Sequence, residues 1–351
     1  FVSHFVQIFM QPTNFVDNRW SSVGGGRHGC DFYAVLSPPN LLKAWKKFSR
    51  GKRNSPEVAA FELNLENNLF ALHERLRQGT WTNDPYIRRT VSDPKPRLIH
   101  VASVRNRVLF QAVYQYLYEI FDSSFVHDSY ASRENKGTHA GVYRLETSAR
   151  KVSANYTKQT FVLKCDIRKF FDSIDHDILF SLIARKVTDE KLLDLIHRII
   201  TSFETAPQKG LPLGNVTSQI FANIYLNELD QFVKHHLKAR YYIRYCDDFV
   251  ILDNSYEKLT AYIYAFRAFL KNRLCLDLHQ HKVTIRKLIQ GVDFLGYVTL
   301  PYYRVLRTRT KRRMLRRVSE KNTASYLGLL KYCKGIKIQR YITHRLKVKQ
   351  W

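Results

Sequence analysis

Three aspartates carry the chemistry open to this sequence. Asp166 follows a short apolar run, Phe161-Val-Leu-Lys-Cys165, and precedes two aromatics, Phe170 and Phe171. Asp247 and Asp248 sit side by side between two alternating segments, Tyr241–Tyr245 and Phe249–Asp253. Those segments read as strands, which puts the acid pair at a tight hairpin. Adjacent carboxylates repel each other unless a cation neutralises them. A strand-end acid together with a hairpin pair supplies hard oxygen ligands for two Mg²⁺ about 3.5–4 Å apart, the arrangement of in-line phosphoryl displacement. An Asp-Asp turn alone is most often structural. The upstream strand with its aromatics, and the charge of the chain, point the other way.

That charge is large. The 351 residues hold 57 Lys and Arg against 30 Asp and Glu, a formal net charge of +27. Apolar residues make up 45% and charged ones 25%, a globular composition with a sizeable core. Such an excess calls for a polyanionic partner and argues against a small neutral metabolite as the main ligand. Between Pro301 and Trp351, sixteen Lys and Arg face a single acid, Glu320. Helical apolar positions persist there (Met314, Leu315, Val318, Tyr326, Leu327), so the stretch reads as a folded basic helical unit. No apolar run reaches the ~18 residues of a membrane span. Five scattered cysteines with no Cys-x-x-Cys pair suggest reduced thiols, a cytoplasmic setting and no structural zinc.

The elements that position the acids follow from the pattern. Residues 1–39, punctuated by Gly24-Gly-Gly26 and Ser37-Pro-Pro39, read as a leader, poorly ordered or appended. Helices are expected from about Asn40 and over Pro56 to Gln78. Strands are expected at Tyr86–Val91 and Arg97–Val101, around the turn Asp93-Pro-Lys-Pro96, then a helix from Ser103 to Phe121. Further helices open near Thr138, Asp177, Asp189, Ser218 and Lys258, and three strands follow up to about Tyr303.

In this order the motifs resemble those of reverse transcriptases, over roughly residues 40–345. Tyr245-Cys-Asp-Asp248 is similar to the Tyr-x-Asp-Asp box, and Asp166 through Asp175 to motif A. Lys95-Pro-Arg97 and Arg105-Asn-Arg107 resemble the fingers motifs, and Ser129 through His139 the second motif. Gly210-Leu-Pro-Leu-Gly214-Asn-Val-Thr-Ser218-Gln219 resembles motif B, His281-Lys282 through Ile285 motif D, and Val292-Asp-Phe-Leu-Gly296-Tyr the primer grip. The resemblance implies an α+β right-hand polymerase fold. Fingers would span about 40–155, an antiparallel palm about 156–300, and a basic helical thumb 301–351. It implies an RNA-directed DNA polymerase acting on dNTPs, an RNA template, and an RNA–DNA or DNA primer duplex.

The resemblance also implies roles. Asp166, Asp247 and Asp248, with the Ile167 carbonyl, would hold two Mg²⁺, with Mn²⁺ as a substitute. Lys282 would act as general acid toward the leaving pyrophosphate. Lys95 and Arg97 would clamp the triphosphate. Phe171, with Phe170 beside it, would gate the sugar by excluding a 2′-hydroxyl, and Leu213 and Gly214 would line the nucleotide. Template and primer contacts would come from Arg133, Lys136, His139, Asn215, Ser218, Gln219, Tyr245, Phe294, Gly296, Arg312, Arg313 and Arg316.

Motif B narrows the resemblance. Most relatives carry Pro-Gln-Gly, whereas this chain has Pro212-Leu213-Gly214 followed by Ser218-Gln219. That pattern is similar to the reverse transcriptases of diversity-generating retroelements. These copy a template-repeat RNA with errors at adenines and work with a small basic pentameric accessory variability protein. Asp172 stands where many of that group have Pro, and Asn106 where Asp is commoner. The competing expectations are another bacterial reverse transcriptase (group II intron-like, retron or phage-defence) and a catalytically retired RNA-binding protein.

Overall fold

The computed structural model describes residues 31–92 and 96–348. The chain folds into two compact units that interleave in sequence. The first takes the described residues up to Phe125, then Lys169–Asp230 and Phe269–Asp277. The second takes Val126–Arg168, Gln231–Ala268 and the described residues from Leu278 onward.

The first unit is mainly helical. Helix Asp31–Val35 leads it, with Phe32 and Val35 buried. The Tyr116 hydroxyl donates to Asp31 at 2.8 Å, and the Phe32 N–H donates to Asp189 at 3.0 Å. The leader expected over 1–39 therefore loses its last nine residues to the fold; residues 1–30 lie outside the described ones. Helix Pro38–Ser49 begins on its prolines, which suit the first turn because no N–H is needed there. It buries Leu41, Ala44, Trp45 and Phe48 and leaves its lysines outside. The single helix expected over Pro56 to Gln78 is two helices, Pro56–Leu63 and Leu65–Arg77, because Asn64 leaves helical geometry at φ −120°, ψ 40°.

Strands β1 (Ile87–Val91) and β2 (Arg97–Val101) form an antiparallel hairpin with Ile87 opposite Val101. Helix Val104–Phe121 is capped by Ser103, whose side chain accepts the Asn106 N–H. Helices His176–Ala184 and Glu190–Thr201 are capped in the same way by Asp175 and Asp189. Helix Val216–Gln231 is buried on nearly every side (Ile220, Phe221, Ile224, Tyr225 and Leu229 among others), so it is a core helix.

The second unit carries two antiparallel sheets. Strands β3 (Phe161–Asp166), β4 (Tyr241–Tyr245), β5 (Asp248–Asp253) and β6 (Thr284–Lys287) are ordered β4-β5-β3-β6. Helix Thr138–Val152 packs Leu145, Ala149 and Val152 into one cluster with Val162, Ile243, Val250 and Leu252. Phe249, on the opposite face, meets Phe266 edge-on at 5.4 Å. Strands β7 (Val292–Phe294), β8 (Tyr297–Leu300) and β9 (Tyr303–Leu306) form the second sheet. So four strands follow Lys258 where three were expected.

Helices Thr308–Arg317, Glu320–Leu330 and Ile336–Val348 end the described chain. They share a small core of Tyr297, Leu306, Met314, Leu330 and Ile342. Arg309, Lys311, Arg312, Arg316 and Arg317 stay exposed on the first of them. Among the described residues no helix is long and apolar enough to cross a membrane.

Candidate active site

Register alone brings the acids together. Asp166 ends β3 and lies directly opposite Asp248, the first residue of β5. Tyr245 closes β4 opposite the same Asp248, which leaves Cys246 and Asp247 as a two-residue hairpin turn. Such turns need positive φ, and Cys246 takes it at +57°. The Ile167 N–H donates to the Asp247 carbonyl at 3.2 Å, tying the turn to the chain leaving β3. Ile167 itself is buried, with only its backbone available as a ligand.

Two ammonium groups answer the acids. Lys282 Nζ lies 2.9 Å from Asp166 Oδ1, and Lys164 Nζ lies 3.2 Å from Asp248 Oδ2. The other Asp248 oxygen, Oδ1, is buried without a hydrogen-bond partner. Burial pushes the Asp248 carboxyl up to about 6, against the pull of Lys164. Asp247 is also raised, first by burial and then by the negative charge of Asp166. Among the described residues no three His, Cys, Asp or Glu side chains converge as a closed metal cage. The donor set nevertheless fits Mg²⁺ in kind. It offers hard carboxylate oxygens on adjoining strands, one of them orphaned and two already drawing cations.

A separate turn lies in the first unit. Leu213 and Gly214 form it at the edge of β2, where the His100 N–H donates to the Leu213 carbonyl at 2.9 Å. Gly214 has φ +110°, a conformation that penalises any side chain. Asn215 Nδ2 donates to the His100 carbonyl at 3.2 Å, and the Ser218 hydroxyl to the Pro212 carbonyl at 2.8 Å.

A profile of the family described as "Reverse transcriptase (RNA-dependent DNA polymerase)" matches residues 91–299, more than half of the chain. The chain belongs to the reverse transcriptase family. Its class is therefore RNA-directed DNA polymerase, and its α+β elements are those of the right-hand polymerase fold. Protein YkfC of Escherichia coli (strain K12) is 25% identical over 266 residues, covering 65% of this chain and 68% of YkfC. Group II intron-encoded protein LtrA of Lactococcus lactis subsp. cremoris is 23% identical over 303 residues, covering 66% of this chain. The chain spans about half of LtrA, 49% of its length. A solved structure of apo telomerase from Candida tropicalis, truncated from its C-terminal domain, aligns at TM-score 0.47 with 13% identity. That alignment covers 65% of this chain and 57% of the telomerase chain.

In this reverse transcriptase several expected contact residues turn inward. Phe170 is 2% exposed and belongs to the core. Phe171, half-buried beside it at 5.3 Å, is the ring left available. Phe294 is buried in the sheet cluster. Asn215 and Ser218 are also buried, and they spend their polar atoms shaping the Leu213 turn. The reason is common to all four. Residues near a site, whether on a loop, a strand end or the first turn of a helix, must also close hydrogen bonds and a core, and residue type does not tell which task wins.

Others sit where a ligand can reach. Gln219, Arg97, Arg312 and Arg316 are exposed, and Leu213 is half-buried. Arg313 is half-buried on the same helix as Arg312. Lys95 lies outside the described residues. Arg133 braces its own loop through the Val126 and Ser129 carbonyls, and Lys136 reaches the His127 carbonyl at 2.9 Å. His139 stacks on Tyr332, with ring centres 3.6 Å apart. The Tyr245 hydroxyl accepts from Thr138 at 3.3 Å. Gly296 has φ +89° and open space where a Cβ would stand. Sequence reasoning missed Lys164 and Arg244. A basic residue two positions before Asp166 and three before Asp247, on a strand that is otherwise apolar or aromatic, was the available signal.

Proposed function

We propose that this protein extends a DNA primer on an RNA template, and that within its family it is the error-prone enzyme of a diversity-generating retroelement. The observation that carries the catalytic part is the pairing of Asp166 with Asp248 beside the Asp247 turn. Asp166, Asp247, Asp248 and the Ile167 carbonyl would hold two Mg²⁺, which when bound make the primer 3′-hydroxyl a better nucleophile and neutralise the triphosphate. Lys282, already 2.9 Å from Asp166, is the group that would donate a proton to the leaving pyrophosphate. Arg97 grips phosphate oxygens, with Lys95 as its neighbour in sequence. Phe171 meets the sugar and leaves no room for a 2′-hydroxyl.

Residues 40–155 serve as fingers, 156–300 as palm and 301–351 as thumb. The exposed arginines of helix Thr308–Arg317 neutralise duplex phosphates, a hold that weakens with salt and is blind to sequence. The subgroup assignment is supported by Leu213, which puts an aliphatic side chain where most relatives carry an amide. Hydrogen bonds discriminate far better than shape alone, so losing one relaxes base selection. A basic pentameric accessory protein is the expected partner, and the cytoplasm the expected setting.

Primer extension on RNA with Mg²⁺, against an Asp247→Ala control, tests the polymerase. Extension no greater than the control would leave an RNA-binding protein on a retired fold. The intron-encoded relatives favour a second reading, a group II intron-like enzyme. Sequencing cDNA made from the cognate RNA separates the two, because errors concentrated at adenines support the retroelement and evenly spread errors support the intron-like enzyme.

A further inference from the structure

Arg244 is a charged side chain with no exposure, on β4 two residues before Cys246. A guanidinium in such a place has to be held by hydrogen bonds. One arm donates to the Cys246 carbonyl at 3.2 Å, inside the turn that carries Asp247. The other donates to the Ser129 hydroxyl at 2.9 Å. The backbone repeats the connection. The Arg244 N–H donates to the Asp128 carbonyl and the Tyr130 N–H to the Arg244 carbonyl, both at 2.9 Å. Residues 128–130 thus pair with the outer edge of β4, with Ser129 opposite Arg244 in a parallel bridge. At the start of this strip the Asp128 carboxylate is held by Arg144 at 2.7 Å and Lys234 at 3.0 Å. At its end the Gly137 N–H returns to the Tyr130 carbonyl at 2.9 Å, closing the loop that carries Arg133 and Lys136.

We propose that Arg244 is a positioning residue that fixes the aspartate turn and the Ser129–Gly137 loop in one register. The inference rests on the polymerase reading. A planar guanidinium offers two donors at a set angle, so it fixes both acceptors relative to each other; an ammonium or an amide cannot. Cys246 needs such help, since a non-glycine residue at positive φ relaxes if its carbonyl is freed.

The test compares Arg244→Gln, Arg244→Lys, Ser129→Ala and Arg144→Gln. The readouts are kcat, dNTP KM, Tm and amide hydrogen exchange over 245–249. Arg244→Gln is expected to lower kcat roughly 100-fold, the scale of a small displacement of reacting groups. KM should move less than about threefold, because nucleotide binding is not what is lost. The turn amides should exchange faster. Arg244→Lys and Ser129→Ala should shift the same readouts the same way by smaller factors. Arg144→Gln loosens the far end of the strip, so it should lower Tm while kcat and turn exchange stay at wild-type values.

Unchanged kcat and exchange in Arg244→Gln would overturn the proposal. So would a loss that Arg144→Gln reproduces at equal Tm. If the Arg244 variants do not fold, Ser129→Ala decides, and wild-type kcat and exchange there would sink the idea. Wild-type protein that fails to extend a primer refutes the polymerase reading, while the exchange comparison still decides whether Arg244 braces the turn.

Discussion

The aspartate corner and the Leu213 turn are built by opposite means. Backbone register places Asp166, Asp247 and Asp248: one ladder sets Asp166 against Asp248, and one hairpin sets Asp248 against Tyr245. Lys164, Lys282 and Arg244 meet a geometry the strands already set, and burial works against the charges there. At the Leu213 turn the relation reverses. Two polar side chains, Asn215 and Ser218, and one backbone bond from His100 define a loop with no ladder of its own. A site that must hold charge under strain uses a rigid sheet. A site that need only present an aliphatic surface uses a loop that residue changes can retune.

The largest effect should come from breaking the corner. Asp247→Asn is expected to lower primer extension by roughly 10³-fold or more, the scale of losing a main electrostatic group. The same change removes a charge that burial disfavours, so the Tm of metal-free protein should rise. A scanning fluorimetry series with EDTA checks this. A fall in Tm would mean that the corner is stabilised by its charges, and the contrast with a strained site would fail.

Asp128 sharpens the contrast from within the same unit. It is a buried carboxylate matched internally. Burial alone would raise it, but Arg144 and Lys234 together hold it below the ordinary carboxylate range. A depressed carboxylate contributes stability that is present above its unfolded value and is lost as pH falls through its folded value. Asp128→Asn should therefore cost about 3–5 kcal/mol near neutral pH, where it breaks a buried charge cluster. The gap to wild type should narrow as pH drops below the usual carboxylate range. Urea melts at a series of pH values measure it, and a gap independent of pH would remove the charge from the explanation.

The aspartate corner and Asp128 also show what the sequence could reveal. Asp166, Asp247 and Asp248 were legible because strands alternate and hairpins have short turns, so position follows from local pattern. Asp128 was not, since Arg144 and Lys234 reach it from distant segments. The same limit applies to Phe170 and Phe171. They are adjacent and chemically identical, yet one turns to the core and the other is left half-buried. Helix Pro56–Leu63 ends early for a like reason, a single backbone departure at Asn64 that apolar spacing does not register. The helix Asp31–Val35 was hidden because its partners, Tyr116 and Asp189, lie far along the chain.

Smaller effects belong to the loop. Ser218→Ala removes the hydroxyl that holds the Pro212 carbonyl and should cost about 1 kcal/mol of stability, the net worth of one such bond. Activity should fall by roughly tenfold at most, through dNTP KM more than kcat, because the turn loosens while the aspartates stay in register. Steady-state kinetics on a fixed primer–template separate the two parameters. A loss confined to kcat would mean that the turn and the corner are not independent.

Leu213→Gln should change rate least and base selection most. Leu213 is half-buried in a turn whose shape is set by the His100, Asn215 and Ser218 bonds, none of which uses the Leu213 side chain. The substitution therefore keeps the turn and adds an amide that can hydrogen-bond. Under the proposed function, errors opposite template adenine should drop by roughly tenfold, about what one added polar check contributes to discrimination, while errors opposite the other bases move little. Sequencing of extension products measures all four rates in one reaction. An unchanged adenine rate would place the low fidelity elsewhere in the chain, and an equal drop at every base would make Leu213 a general rather than an adenine-specific determinant.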